Sequence, residues 1–146
     1  LAFAQQGANL ILHTKSNQAG LEETVTMAKQ HGIQCTQHLA DLTCAESREQ
    51  FVQSVFETGK INIWINNAGT DILTNENAKL SFTEKLQLLW AMDVHGTIEI
   101  CRLISEPLTE VGKNANAVIL NMGWDQAELG QSGDSGQLFG PTKAAW

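Results

Sequence analysis

The chain has 146 residues, is 42% apolar and carries a formal net charge of −7 with a pI near 4.9. That length allows one domain with a core. The acidic balance, with no Lys/Arg cluster, argues against nucleic-acid binding by general electrostatics, and the apolar runs are too short to span a bilayer.

The elements follow in chain order. Leu1–Gln6 reads as the last turns of a helix closed by Gly7. Leu10-Ile11-Leu12 is a short buried strand, and His13–Asn17 a polar loop. Leu21–Gln30 is helical, with Glu22 and Glu23 where a helix N-terminus favours negative charge and Leu21, Val25 and Ala28 on one face. Ile33–His38 is a second strand. Thr43 with Glu46 forms a capping-box pattern ahead of a helix over Ala45–Glu57. His31, Cys35 and His38 lie close together, but Gly32 breaks the helix and Cys35 falls in a strand, so no metal site is expected. Cys35, Cys44 and Cys101 form no CxxC pair, which predicts reduced thiols in a cytoplasmic protein. No secretory leader is visible, although the chain begins at Leu1 rather than Met.

Lys60–Ile65 reads as an inner strand of a parallel sheet, ending abruptly in Asn66-Asn67-Ala68-Gly69. Open α/β sheets bind ligands beyond the carboxyl ends of their strands. Short amides there tie a turn together, and Gly69 lets a flat ligand approach; the plainer reading is a strand-ending turn. A long helix follows from about Thr83 to Leu108, with Leu86, Leu89, Trp90, Val94, Ile98 and Cys101 at helical spacing and Gly96 marking close packing or a kink. Pro107 and Gly112 close it. Ala115–Leu120 is a further apolar strand, Asn121–Gln137 a Gly- and Asp-rich loop, and Leu138–Trp146 the start of a helix. Strand–helix alternation of this kind predicts an α/β fold, with a parallel sheet and helices on both faces.

With these residues in view, the chain resembles the short-chain dehydrogenase/reductase family. The resemblance implies a Rossmann-like three-layer sandwich. Residues 1–146 would be a partial dinucleotide-binding domain lacking the first strand, its Gly-rich phosphate loop and the C-terminal part. The family's strand order leaves a gap between the Leu10 and Lys60 strands, hence two unpaired edges and doubtful stability for these residues alone. Asn66, Asn67, Ala68 and Gly69 resemble the family's NNAG, and Asp41-Leu42 the pair that contacts adenine. Leu12–Asn17 resembles the strand end that reads the adenosine ribose. Lys15 and Ser16 in place of an acidic residue suit a 2′-phosphate, hence NADP, with NAD the alternative.

The family's catalytic Asn, Ser, Tyr and Lys correspond here to Asp93, the Gly123-Trp124 pair, Phe139 and Lys143. Lys143 would bond the nicotinamide ribose, and Asp93 is expected within proton-relay distance of it. Phe139 has no proton to give to an oxyanion. Asp125 or Asp134 could replace the missing acid if its setting held a proton on it, with Ser135 orienting a substrate oxygen; Gly/Asp/Ser clusters are also ordinary loops. Three readings stay open. The chain transfers a hydride between NADP(H) and a carbonyl, alcohol or related small substrate through a non-standard donor; or it is an inactive nucleotide-binding or scaffold homologue; or it is a non-functional fragment. The family also implies a homodimer or homotetramer through the long helix 83–108, although Leu86, Leu89 and Trp90 could instead face their own sheet.

Overall fold

The computed structural model describes residues 1–113, 116–127 and 129–145. The chain forms two compact units, Leu1–Thr58 and Gly59–Trp146. Among the described residues four strands make two separate two-stranded parallel sheets.

The first unit contains α1 (Ala2–Gln5), β1 (Leu10–Thr14), α2 (Gln18–Lys29), β2 (Cys35–Leu39) and α3 (Ala45–Glu57). Gly7, at φ +81°, sits just past α1 in the left-handed conformation that ends a helix without Cβ strain. In the parallel β1–β2 ladder Leu10 lies opposite Cys35 and His13 opposite His38. Ala4, Val25, Ala28 and Cys35 form the core, with Leu10, Leu12 and Ile33 packed on it. The helix predicted from Leu21 begins earlier because Asn17 caps it, its Oδ1 accepting from Gly20 N–H at 3.1 Å. The capping box expected at Thr43 does not form. Cys44 takes the N-cap position, and the Thr43 hydroxyl donates at 2.6 Å to Asp41, whose carboxylate is the stronger acceptor.

The second unit contains β3 (Ile63–Asn66), a 3₁₀ turn (Glu76–Lys79), α4 (Phe82–Leu89), a π-helical segment (Trp90–Gly96), α5 (Thr97–Gly112), β4 (Val118–Asn121) and α6 (Asp134–Lys143). Ser81 and Glu84 close α4 with a reciprocal capping box. β3 and β4 pair in parallel, with Ile65 opposite Leu120 and Asn66 opposite Asn121. The first of these strands was predicted as buried and the second as apolar throughout. Trp64 is buried, but Ile63 and Ile65, which alternate with it onto the opposite face, are exposed, as are Val118, Ile119 and Leu120. Ala115, predicted to start the fourth strand, and Trp146, predicted to end the last helix, lie outside the described residues.

The long helix predicted after residue 83 is three pieces. Its centre widens into the π segment around a buried Asp93, and its end passes through Pro107 and stops at Gly112, a few residues beyond the expected Leu108. π turns insert an extra residue and re-aim the side chains they carry. Among the described residues no helix is long and apolar enough to cross a membrane.

Candidate active site

The carboxyl end of β3 carries the Asn66–Gly69 turn. Asn66 is buried and faces its own sheet. Its Oδ1 accepts from the Trp64 indole N–H at 2.8 Å, while its Nδ2 donates to Asn121 Oδ1 at 2.8 Å and to Cys101 Sγ at 3.3 Å. These bonds use the amide to lock β3 to β4. Asn67, Ala68 and Gly69 are exposed. The Asn66–Asn121 pair was not foreseen; two asparagines ending two parallel apolar strands are the signal that could have found it.

Asp93 lies directly against this turn. Its Oδ2 accepts from Thr70 N–H at 3.0 Å, and its Oδ1 meets Lys143 Nζ at 2.6 Å. The Asp93 side chain is 1% exposed and that of Lys143 15%. A Cβ on Gly69 would stand 2.9 Å from Asp93 Oδ1 and 3.4 Å from Lys143 Nζ. Glycine therefore leaves room where the turn, the π segment and the end of α6 converge, and a larger residue would displace the Asp93 carboxylate. The expected short separation of Asp93 and Lys143 is present. Each charge is desolvated, so each depends on the other.

Phe139 precedes Lys143 by one helical turn on α6, spacing that puts the two on one face. It packs on the Ile72, Leu89 and Leu138 core and meets Trp124 with ring centroids 6.0 Å apart and planes tilted by 53°. Both rings are half-buried. The 146 residues contain no tyrosine. Thr142, the buried hydroxyl in α6, donates to Leu138 O at 2.9 Å.

The loop before α6 is more ordinary than its composition suggests. Asp125 and Asp134 are both exposed, so the enclosed setting expected of a proton-donating carboxyl is found at neither. Gly133, at φ +88°, turns the chain into α6, and a Cβ on Gly136 would fall 1.8 Å from the Gln131 carbonyl oxygen. Tight folding accounts for these glycines. Ser135 is half-buried.

In the first unit the predicted adenosine residues also come together. Lys15 Nζ meets Asp41 Oδ2 at 2.7 Å, with side chains 64% and 37% exposed. Asp41 Oδ1 accepts from Thr43 N–H at 3.0 Å, and Asp41 N–H donates to Ser47 Oγ at 3.0 Å. Hydrogen bonding from Lys15 and then from Thr43 lowers the Asp41 pKa to about 2. Leu42 is buried, and its carbonyl accepts from Arg48 Nη1 at 2.8 Å. Ser16 is exposed. A cavity of about 270 Å³ lies over the end of β1, lined by Leu12, His13, Thr14, Asn17, Gly20 and others. A second cavity of about 500 Å³, between Ser105, Leu108, Thr109, Lys113, Ala117 and Ile119, touches none of the predicted site residues.

The sequence profile of the short chain dehydrogenases matches residues 1–145. The chain belongs to the short-chain dehydrogenase family. This is an oxidoreductase family, and its fold agrees with the two parallel strand pairs and flanking helices. A diacetyl reductase ((S)-acetoin forming) of Staphylococcus epidermidis is 33% identical over 66% of this chain and 37% of its own length. A tropinone reductase homologue of Arabidopsis thaliana is 26% identical over 86% of this chain and 46% of its own. Among solved structures, an NAD⁺-bound xylitol dehydrogenase superposes with a TM-score of 0.82 at 20% identity, covering 99% of this short-chain dehydrogenase and 54% of that chain. An alcohol dehydrogenase from Thermococcus sibiricus, complexed with 5-hydroxy-NADP, gives 0.80 at 24% identity over 99% and 58%. The chain thus spans less than half the length of these curated relatives and somewhat over half of these structures.

Proposed function

We propose that this short-chain dehydrogenase serves hydride transfer between NADP(H) and a carbonyl, alcohol or related small substrate. The observation that carries the reading is the approach of Lys143 Nζ, held by Asp93, to the exposed turn at Gly69. An ammonium fixed beside an open glycine turn at a strand's carboxyl end suits the ribose hydroxyls of a nicotinamide nucleotide. Asn67, Ala68 and Gly69 supply backbone for close approach, and Asn66 fixes the strand end from which the turn leaves. Asp41 and Leu42 are assigned to adenine. Lys15 and Ser16 offer an ammonium and a hydroxyl to a 2′-phosphate, which favours NADP over NAD.

Reduction of a neutral carbonyl also needs a proton. Phe139 has none, and Asp125 and Asp134 are the candidate donors. The contact of Trp124 with Phe139 favours a second reading, an inactive nucleotide-binding homologue, because the family resemblance assigns both aromatic residues to positions that carry hydroxyls in the family. A homo-oligomer and a cytoplasmic setting belong to the proposal. Trp90 and Ile98 are exposed apolar residues that a partner helix would cover, and Cys35, Cys44 and Cys101 are free thiols.

The test is titration of the full-length protein with NADPH and NADH, followed by a carbonyl panel. NADPH should bind more tightly, and Lys15→Ala should narrow that preference. Lys143→Met should weaken both cofactors. Absence of binding by either nucleotide overturns the proposal; binding without turnover on any substrate establishes the second reading.

A further inference from the structure

We infer that the substrate is an iminium cation rather than a neutral carbonyl. The inference rests on the proposed hydride transfer at this site and dispenses with a loop acid. Two independent features lead to it. One is the Trp124–Phe139 ring pair, half-buried, with Phe139 one turn before Lys143 on α6. The faces of such rings attract cations. The other is Asp93. Its carboxylate cancels the charge of Lys143 at 2.6 Å, so the pair presents no net positive charge that would repel a cation or draw an oxyanion. Asp125, directly after Trp124, adds a further anionic group in that loop.

The chemistry separates the two substrate classes. Hydride added to a carbonyl carbon leaves an alkoxide, which must gain a proton from a donor. Hydride added to the carbon of C=N⁺ breaks the π bond, and that electron pair becomes the lone pair of a neutral amine. The positive charge passes to the nicotinamide, the named reductant, and no proton enters. Phe139 and Trp124 offer no hydroxyl to the first reaction, and their ring faces suit the cation of the second.

The full-length protein is tested with N-methyl-3,4-dihydroisoquinolinium, a permanent iminium, and α-tetralone, a neutral ketone of similar shape. Calorimetric binding is measured without cofactor and with NADP⁺, where no hydride can move. The cation should bind more tightly than the ketone by roughly 2- to 30-fold, the range of a cation–π contact. Trp124→Leu should remove that margin, and Trp124→Phe, which keeps a ring, should retain much of it. With NADPH the iminium should be consumed and the ketone left. Equal binding of the two probes, or reduction of the ketone alone, overturns the inference and leaves hydride transfer standing. NADPH binding with neither probe reduced also overturns it. Failure of NADPH to bind instead removes the underlying proposal, whereas the cation preference measured without cofactor still reports on the rings.

Discussion

The two units each hold a lysine–aspartate pair at the end of a parallel strand, at nearly the same distance and in different surroundings. Lys15 and Asp41 meet at 2.7 Å with both side chains open to water. Lys143 and Asp93 meet at 2.6 Å with the carboxylate 1% exposed. In the first pair water can replace either partner, so the bond adds little stability and the ammonium stays available to a ligand. In the second, removal of one partner strands a charge in a space that excludes water. Distance alone does not tell a binding group from a structural linchpin; burial does.

The largest effect should come from breaking the buried pair. Lys143→Ala in the full-length protein should destabilise the second unit by about 3–5 kcal/mol. Urea unfolding followed by the amide exchange of Thr97–Gly112 and Asp134–Lys143 reads that unit. An unchanged midpoint would show that Asp93 is not dependent on Lys143. Next, Gly69→Ala would push a methyl to within 2.9 Å of Asp93 Oδ1 and should cost about 1–3 kcal/mol in the same experiment.

The first unit should respond to pH. His13 has its pKa lowered, chiefly by burial, although its bond to Ala40 O at 2.8 Å and the nearby His38 also act on it. A depressed pKa means that the unfolded chain binds the proton more readily. His13 therefore contributes stability that is fully present above pH ~6.5 and declines as the pH falls below it. Protection factors for amide exchange in β1 and β2, taken relative to the intrinsic rate at each pH, should fall below that pH, and less so in His13→Gln. The Asp41 contribution is present above pH ~4 and lost as the pH falls toward about 2. The smallest effect is expected for Lys15→Ala, about 0–1 kcal/mol and reduced further by salt. A loss as large as that for Lys143→Ala would erase the contrast between the pairs.

Much of the site was legible because its residues are close in sequence or fixed by turn chemistry. The Asn66–Gly69 turn follows from an apolar run that stops at short amides and a glycine. Asp93 and Lys143 were expected together only through the family resemblance, since their separation in the chain hides the contact from any local pattern. The glycines of the predicted loop misled: Gly133 turns the chain into α6, and Gly136, inside α6, allows the approach to Gln131. Thr43 misled as well, because a capping pattern does not reveal that a carboxylate two residues earlier will take the hydroxyl.

Local periodicity and composition determined the alternation of strands and helices, the acidic surface and the absence of a tyrosine hydroxyl, because each is a property of neighbouring residues or of a count. Tertiary structure alone decided three things. It separated the strands into two sheets, opened the long helix into a π segment around Asp93, and buried one lysine–aspartate pair while leaving the other in water. These depend on what lies across space, and the strength of a charge pair is set by the solvent that its distant neighbours exclude.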